Sequence, residues 1–257
     1  MSDEPAVVSK RIGATETSFA IAELLRDHEG ATITTLAAET GRSKSTVHNH
    51  LQTLRESGYV VKDEGTYHLG LGFLDLGNAA RKRWSLYEIA KPEMDELVNA
   101  VGERAQLMVE EQGRGVYLYQ TKAEGGVRTD SHIGATVDLH ATAVGKSYLA
   151  HLPADELATL REQLDLDERT DRTLTDWDDL EATFETIRER GYAFNDEERL
   201  IGMRAVGAPV LGDDDEVLAT VSVSGPTTRM NGEWYREEIP EIVTQAARII
   251  GIRATYS

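Results

Sequence analysis

The 257-residue sequence contains no cysteine. Disulfides, thiolate metal sites and thiol nucleophiles are excluded together. No apolar run approaches the roughly 18 residues of a membrane-spanning helix. The opening stretch, MSDEPAVVSKRIGATETSF, has no apolar segment of the kind a signal peptide carries. A cytoplasmic chain without a membrane partner is expected. His132, His140 and His151 stand at spacings of 8 and 11, which match no zinc pattern and find no cysteine to complete one. Neither Ser131 nor Ser147 lies in a nucleophile elbow. No catalytic residue, metal or cofactor is expected, and an enzyme is the least favoured class.

Lysine is the second scarcity. Seven lysines stand against 20 arginines, and 27 bases against 45 acids, for a formal charge of −18. Residues 1–82 carry −2 of that balance and the remainder −16. The acids are scattered, although short runs such as Asp213-Asp214-Asp215 recur. A face for a basic partner would gather them, whereas a solvated coat suited to molar salt would scatter them. The composition is read as halophilic. In molar salt the screening length falls to about 3 Å and phosphate contacts lose most of their counterion-release gain. Few lysines therefore do not argue against DNA as a partner.

Residues 32–68 are the most informative stretch. An amphipathic helix at 32–39 precedes a turn at Gly41, and a second helix at 43–57 starts at the cap residue Ser43. Gly58 closes it, and two short strands at 59–61 and 66–69 flank a turn at Glu64-Gly65. That order describes a winged helix-turn-helix, whose second helix enters the major groove of DNA. Val47, Leu51 and Leu54 make one apolar stripe, leaving Ser45, Thr46, His48, Asn49 and Gln52 outward. Short polar side chains there suit base edges, and Asn or Gln can pair bidentately with adenine. Arg42, Lys44 and Lys62 are placed to hold phosphates. The competing reading is a structural or protein-docking helix, in a ligand sensor that acts through protein partners without DNA readout.

A helix at 15–28 precedes this unit, with Phe19, Ala22 and Leu25 on one face. After the wing, Phe73, Leu76, Ala80, Trp84 and Tyr87 predict a helix over 73–90, which Pro92 ends or follows with a new start. An isolated amphipathic helix between two domains has a stripe to bury, as a dimer seam would. The sequence thus divides into a winged domain at 1–71, a linker helix at 72–91 and a second domain at 92–257. In the latter, strands at 105–111 and 116–122 surround Gly113-Arg114-Gly115, and a strand is expected at 127–133. Helices follow at 143–152, 154–164 and 176–190, the last capped by Thr175 and ended by Gly191. Strands at 203–210 and 217–224 and a helix at 233–252 complete an α+β architecture.

Two segments of the second domain suit a ligand. The small-residue loop Ala141–Gly145 leads into a helix start, where free N–H groups and the helix dipole favour an anion; a tight crossover on a sheet would need small residues as well. Ser222 and Ser224 share one strand face, suiting either a polar pocket or an exposed surface.

Several separated motifs, SKSTVHNHLQTLRESGYV, YHLGLGFLDLGNAA, LHATAVGK, RGYAFNDEERLIGMRAVGAPV and TVSVSGP, occur in an order that resembles the IclR-type transcriptional regulators from Ile12 to about Gly251. The resemblance implies a winged helix-turn-helix, a linker helix and a C-terminal GAF-like effector domain. It further implies a homodimer or tetramer on a pseudo-palindromic double-stranded DNA operator, controlled by a small molecule, commonly an organic acid. By motif position its effector pocket falls on Ala143, Val144, Asn195, Met203, Ala205, Ser222 and Ser224. Three positions depart from the family pattern. Ala205 stands where a cysteine is frequent, Asn195 where an aspartate is common, and His50 where the reading helix usually has an apolar residue. His50 is expected to turn toward DNA or to cap a thinner core.

The charge distribution makes one prediction. The melting temperature should rise between low and molar salt, as screening relieves repulsion among the acids of the second domain. A flat or falling curve in a thermal scan would remove the halophilic reading.

Overall fold

In the computed structural model, which describes residues 11–123 and 131–256, two units divide after Arg83. The first is built on the apolar spacings of three helices, α1 (Gly13–Asp27), α2 (Ile33–Thr40) and α3 (Lys44–Glu56), with strands β1 (Val60–Asp63) and β2 (Thr66–Leu69). Ile21, Leu25, Leu36, Val47, Leu51, Val60 and Tyr67 meet in one core. The Thr32 hydroxyl accepts from Thr35 N at 3.3 Å to start α2, and the Ser43 hydroxyl accepts from Thr46 N at 3.1 Å to start α3. Gly41 ends α2 at φ 64°. The wing turns at Glu64 and Gly65, both at positive φ, which matches the twist of a two-residue hairpin.

Two expectations about this unit change. Phe19 is 60% exposed, because the buried stripe of α1 runs through Thr17, Ile21, Ala22 and Leu25 at helical spacing. His50 is half-buried and turned to α1: its Nδ1 hydrogen-bonds with Ser18 Oγ at 2.8 Å and ties α3 to that helix.

The stretch expected as one helix over 73–90 is two, α4 (Gly72–Arg81) and α5 (Leu86–Val101). The chain breaks at 82–85, where Trp84 turns in to pack against the core of the second unit. Pro92 neither ends nor starts a helix but lies within α5. A proline inside a helix costs about 3 kcal/mol. Leu86, Ala90, Met94, Leu97, Val98 and Val101 are buried along the same helix. At roughly 1.5–3 kcal/mol for each large apolar side chain, their burial outweighs that cost.

The second unit is one antiparallel sheet of six strands, β3 (Arg104–Glu111), β4 (Arg114–Lys122), β5 (Thr136–Val137), β6 (Ala193–Asp196), β7 (Met203–Leu211) and β8 (Val217–Pro226), in the order β5-β4-β3-β8-β7-β6. Strand alternation gives the sheet two unlike faces. Ala105, Leu107, Val109, Val206, Ala208, Val221 and Val223 join α5 and α9 (Ile239–Thr255) in the larger core. On the opposite face lie α6 (Ala143–Ala150) and α8 (Trp177–Arg190), with α7 (Ala154–Arg161) between them in the chain and a smaller core around Met108, Tyr117, Leu149 and Phe184. No helix among the described residues is long and apolar enough to cross a membrane.

Here too local chemistry adjusts the expected boundaries. The β3–β4 turn is Gln112-Gly113, both at positive φ, not Gly113–Gly115. Gly115 belongs to the ladder, where a Cβ would come within 2.8 Å of Leu139 Cδ2. Asp176 rather than Thr175 caps α8, accepting from Asp178 N at 2.8 Å. Strand β6 was not anticipated. The strand expected at 127–133 lies mostly on 124–130, outside the described residues, and 131–133 lead into a turn at Gly134 before β5. A π-helical turn, Trp234–Glu238, precedes α9.

All eight residues of α6 are buried, including Lys146, which forms an ion pair with Glu198 in the loop after β6. Burial lowers the Lys146 pKa, and the Glu198 carboxylate opposes that shift. Removing one partner leaves the other charge buried without compensation. Lys146→Met should therefore lower unfolding free energy by about 3–5 kcal/mol, and Lys146→Met with Glu198→Leu should regain most of it. Urea denaturation of both variants measures this; equal losses would place the cost elsewhere than in the pair.

Candidate functional site

Two sites emerge, one in each unit. In the first, α3 presents His48 and Asn49 to solvent, and neither side chain has a hydrogen-bond partner among the described residues. Arg42, Lys44 and Ser45 are also exposed, while Thr46 and Gln52 are half-buried. Three of these residues make local bonds. The hydroxyls of Ser45 and Thr46 cluster with Ser43 Oγ at 2.8 and 2.9 Å, and Gln52 Nε2 donates to Glu56 Oε1 at 2.6 Å. Lys62, on the wing, lies 5.2 Å from the Tyr67 ring centre. The helix start is thus stiffened by its own hydroxyls, and Asn49 and His48 are its available polar tips.

In the second unit a cleft opens at the first turn of α6. All seven residues expected there, Ala143, Val144, Asn195, Met203, Ala205, Ser222 and Ser224, line it. They arrive from four elements. Ser222 and Ser224 alternate outward on β8, Ala205 pairs with Ser224 across β7, and Asn195 pairs with Ala205 across β6. The start of α6 descends onto β7 so closely that a Cβ at Gly207 would lie 2.7 Å from Ala143 C and 2.9 Å from Val144 N. Gly145 is equally constrained, since its Cβ would meet Leu139 O at 2.2 Å.

The donors at this helix start can be accounted for individually. The Thr142 hydroxyl accepts from Gly145 N at 3.1 Å and Thr142 O accepts from Lys146 N at 2.9 Å. Ala143 N and Val144 N have no acceptor among the described residues. Two unspent N–H groups at the positive end of a helix suit an anion. Asn195 Nδ2 donates to Ala141 O and fixes the loop that leads into α6. At the rim, Arg204 donates through Nε to Asp196 at 2.6 Å and through Nη1 to Met230 O at 3.0 Å, and lies 5.0 Å from the Tyr235 ring centre. Val144, Met203, Ala205, Tyr117 and Leu200 supply apolar walls.

Several lining residues escaped the sequence reading of the pocket: Gln106, Tyr117, Ser131, Arg199, Leu200 and Arg204. Gln106 alternates with Ala105 and Leu107 on β3, so its face is legible once the strand is assigned. Its meeting with Ser222 depends on the β3–β8 pairing, across more than a hundred residues of chain. The histidines singled out in sequence form no cluster among the described residues: His132, His140 and His151 each donate to a different backbone carbonyl, of Ile133, Asp167 and Ser147.

Comparison with known proteins covers both units. Residues 15–64 match the IclR helix-turn-helix domain, and residues 78–252 match the family described as Bacterial transcriptional regulator IclR C-terminal. A probable HTH-type transcriptional regulator, ArcR of Halobacterium salinarum, is 35% identical over 97% of this chain and 95% of its own length. The crystal structure of the Thermotoga maritima IclR superposes with a TM-score of 0.80 at 27% identity, covering 95% of this chain and 99% of that one. An IclR homologue of Microbacterium hydrocarbonoxydans, solved in complex with 4-hydroxybenzoate, shares the fold with a TM-score of 0.79 at 21% identity, over 94% of this chain and 100% of its own.

The close approach at β7 generates a prediction. Gly207→Ala should lower stability by about 1–3 kcal/mol, the usual cost of overpacking, because backbone rather than a flexible side chain stands in the way. Denaturant titration checks this, and a neutral result would mean that α6 can lift from the sheet without cost.

Proposed function

We propose, on the premise that this chain belongs to the IclR family of transcriptional regulators, that α3 reads a specific DNA site and that a small organic anion in the α6 cleft controls its occupancy. The family's members are regulators, not enzymes, and the chain is a DNA-binding transcriptional regulator with a C-terminal effector domain. The observation that carries the effector reading is the convergence of two unspent N–H groups at Ala143 and Val144 with the polar strand face of Ser222 and Ser224. The 4-hydroxybenzoate complex of the Microbacterium homologue supports the same ligand class.

In this proposal residues 1–71 form the reading head, 72–91 the linker and seam, and 92–257 the effector domain. Asn49 and His48 read base edges together with Ser45, Thr46 and Gln52, while Arg42, Lys44 and Lys62 position phosphates. The protein acts in the cytoplasm as a homodimer or tetramer on a pseudo-palindromic operator. Leu71, Leu74 and Leu76 support the seam, since all three stand exposed along or beside α4, which buries none of its residues. Ligand binding shifts the population of dimer arrangements that fit the two half-sites.

Two measurements test the two halves. Footprinting on the DNA upstream of its own gene should locate an operator, and Asn49→Ala should then weaken specific binding by about 1–3 kcal/mol with nonspecific binding nearly unchanged. Equal loss on specific and random DNA would show that Asn49 does not read bases. Val144→Asp sets a carboxylate beside the unspent N–H groups and should abolish calorimetric binding of any organic acid the parent takes up. Retained binding would place the effector elsewhere.

A further inference from the structure

We infer that Gln106 is a specificity-determining residue of the effector cleft, and that it selects ligands carrying a hydroxyl at the end away from their carboxylate. The inference rests on the cleft being the effector site.

Gln106 lies on β3 in the middle of the sheet, directly opposite Ser222 of β8, and is 4% exposed. Its Oε1 accepts from the Ser222 hydroxyl at 3.2 Å and from the Ser224 hydroxyl at 3.1 Å. A carboxamide oxygen has two lone pairs, and these two bonds occupy both. Each serine has one hydroxyl proton, so both protons are also committed. The Gln106 Nε2 group has no acceptor among the described residues. Nor is it among the sealed side-chain atoms without a partner, which within the described residues are Gln120 Oε1, Ser147 Oγ, Thr220 Oγ1 and Thr244 Oγ1. Its N–H groups therefore open toward the cleft that Gln106 lines.

The sense of this carboxamide decides what the floor of the cleft can recognise. As arranged, the floor offers N–H donors from Gln106 and lone pairs from Ser222 and Ser224. Turned end for end, the amide would spend its protons on the serines and release their hydroxyls as donors to the ligand, which would suit a carboxylate. With the serine protons committed, a carboxylate over the floor would find donors only in the Gln106 amide and would meet two serine oxygens that present only lone pairs. A hydroxyl fits instead, since a single oxygen both donates and accepts. The anion then has its place at the other wall, on Ala143 N and Val144 N. A polar floor built this way rejects an analogue lacking the hydroxyl, because floor groups lose their partner.

Calorimetry on the full chain with two matched pairs, 4-hydroxybenzoate against benzoate and 4-hydroxybutanoate against butanoate, reads the inference directly. The parent should prefer the hydroxylated member of at least one pair by about tenfold, the worth of one to two hydrogen bonds. Gln106→Leu should bring that ratio close to one while retaining the unsubstituted acid. Gln106→Glu keeps acceptors for both serines but adds a charge in place of the N–H groups, and should weaken both members. A ratio near one on the parent overturns the inference without any variant, as does a preference that survives Gln106→Leu or an unchanged affinity in Gln106→Glu. If both members bind equally and Val144→Asp abolishes them, the effector site stands and only the Gln106 assignment falls. If Val144→Asp leaves binding intact, or no acid binds the parent, the effector reading itself falls and takes this inference with it.

Discussion

The second unit depends on how closely the first turn of α6 approaches β7. A helix resting on ordinary side chains sits several ångströms above a sheet, and its terminal N–H groups then face solvent or neighbouring side chains. Gly207 removes the side chain that would hold α6 off, and Gly145 removes the one that would hold off the incoming loop. The helix start is thereby brought down beside the strand face that carries Ser222 and Ser224. Asn195 from β6 and Thr142 at the helix cap then fix the loop in place. A cleft with a positive helix end on one wall and hydroxyls on another follows from two missing β-carbons.

That packing is possible because the sheet has two different faces. The face toward α5 and α9 is continuously apolar and supplies the larger core. It frees the other face to carry Gln106, Thr220, Ser222 and Ser224 in buried or half-buried positions, each of which would be costly in an apolar layer. The Lys146–Glu198 pair belongs to the same polar layer and joins α6 to the loop that brings Arg199 and Leu200 to the cleft. The cleft and the larger core thus lie on opposite faces of one sheet.

The reading head follows a different economy. Its charge is nearly neutral in an otherwise acidic chain, and its recognition helix is stiffened at its start by the Ser43, Ser45 and Thr46 hydroxyls. Lysines are few there, and among the short polar side chains of that helix Asn49 and His48 are the least engaged. The His50–Ser18 bond holds that helix against α1 and limits how far its tips can drift.

Local sequence was sufficient wherever one residue type has one cheap use. Ser43 before an apolar period, Gly41 and Gly58 after one, and Glu64-Gly65 between two short strands fixed the winged unit nearly residue by residue, because caps and tight turns are set by neighbours in the chain. The alternation of Val221 and Val223 with Ser222 and Ser224 likewise showed which serines share a face. Where two signals competed, local reading failed: Pro92 lies inside α5 because six buried residues outweigh one lost backbone bond, and Phe19 is left outside a stripe that Ile21 completes. Motif order placed Ala143, Val144, Asn195, Met203, Ala205, Ser222 and Ser224 together, but only the β3–β8–β7–β6 pairing shows what lies between them. Gln106, and the direction in which its amide points, were decided by a strand neighbour far away in sequence. Composition, periodicity and caps act over a few residues, whereas the donors and acceptors of a binding cleft are assigned only when distant strands share hydrogen bonds.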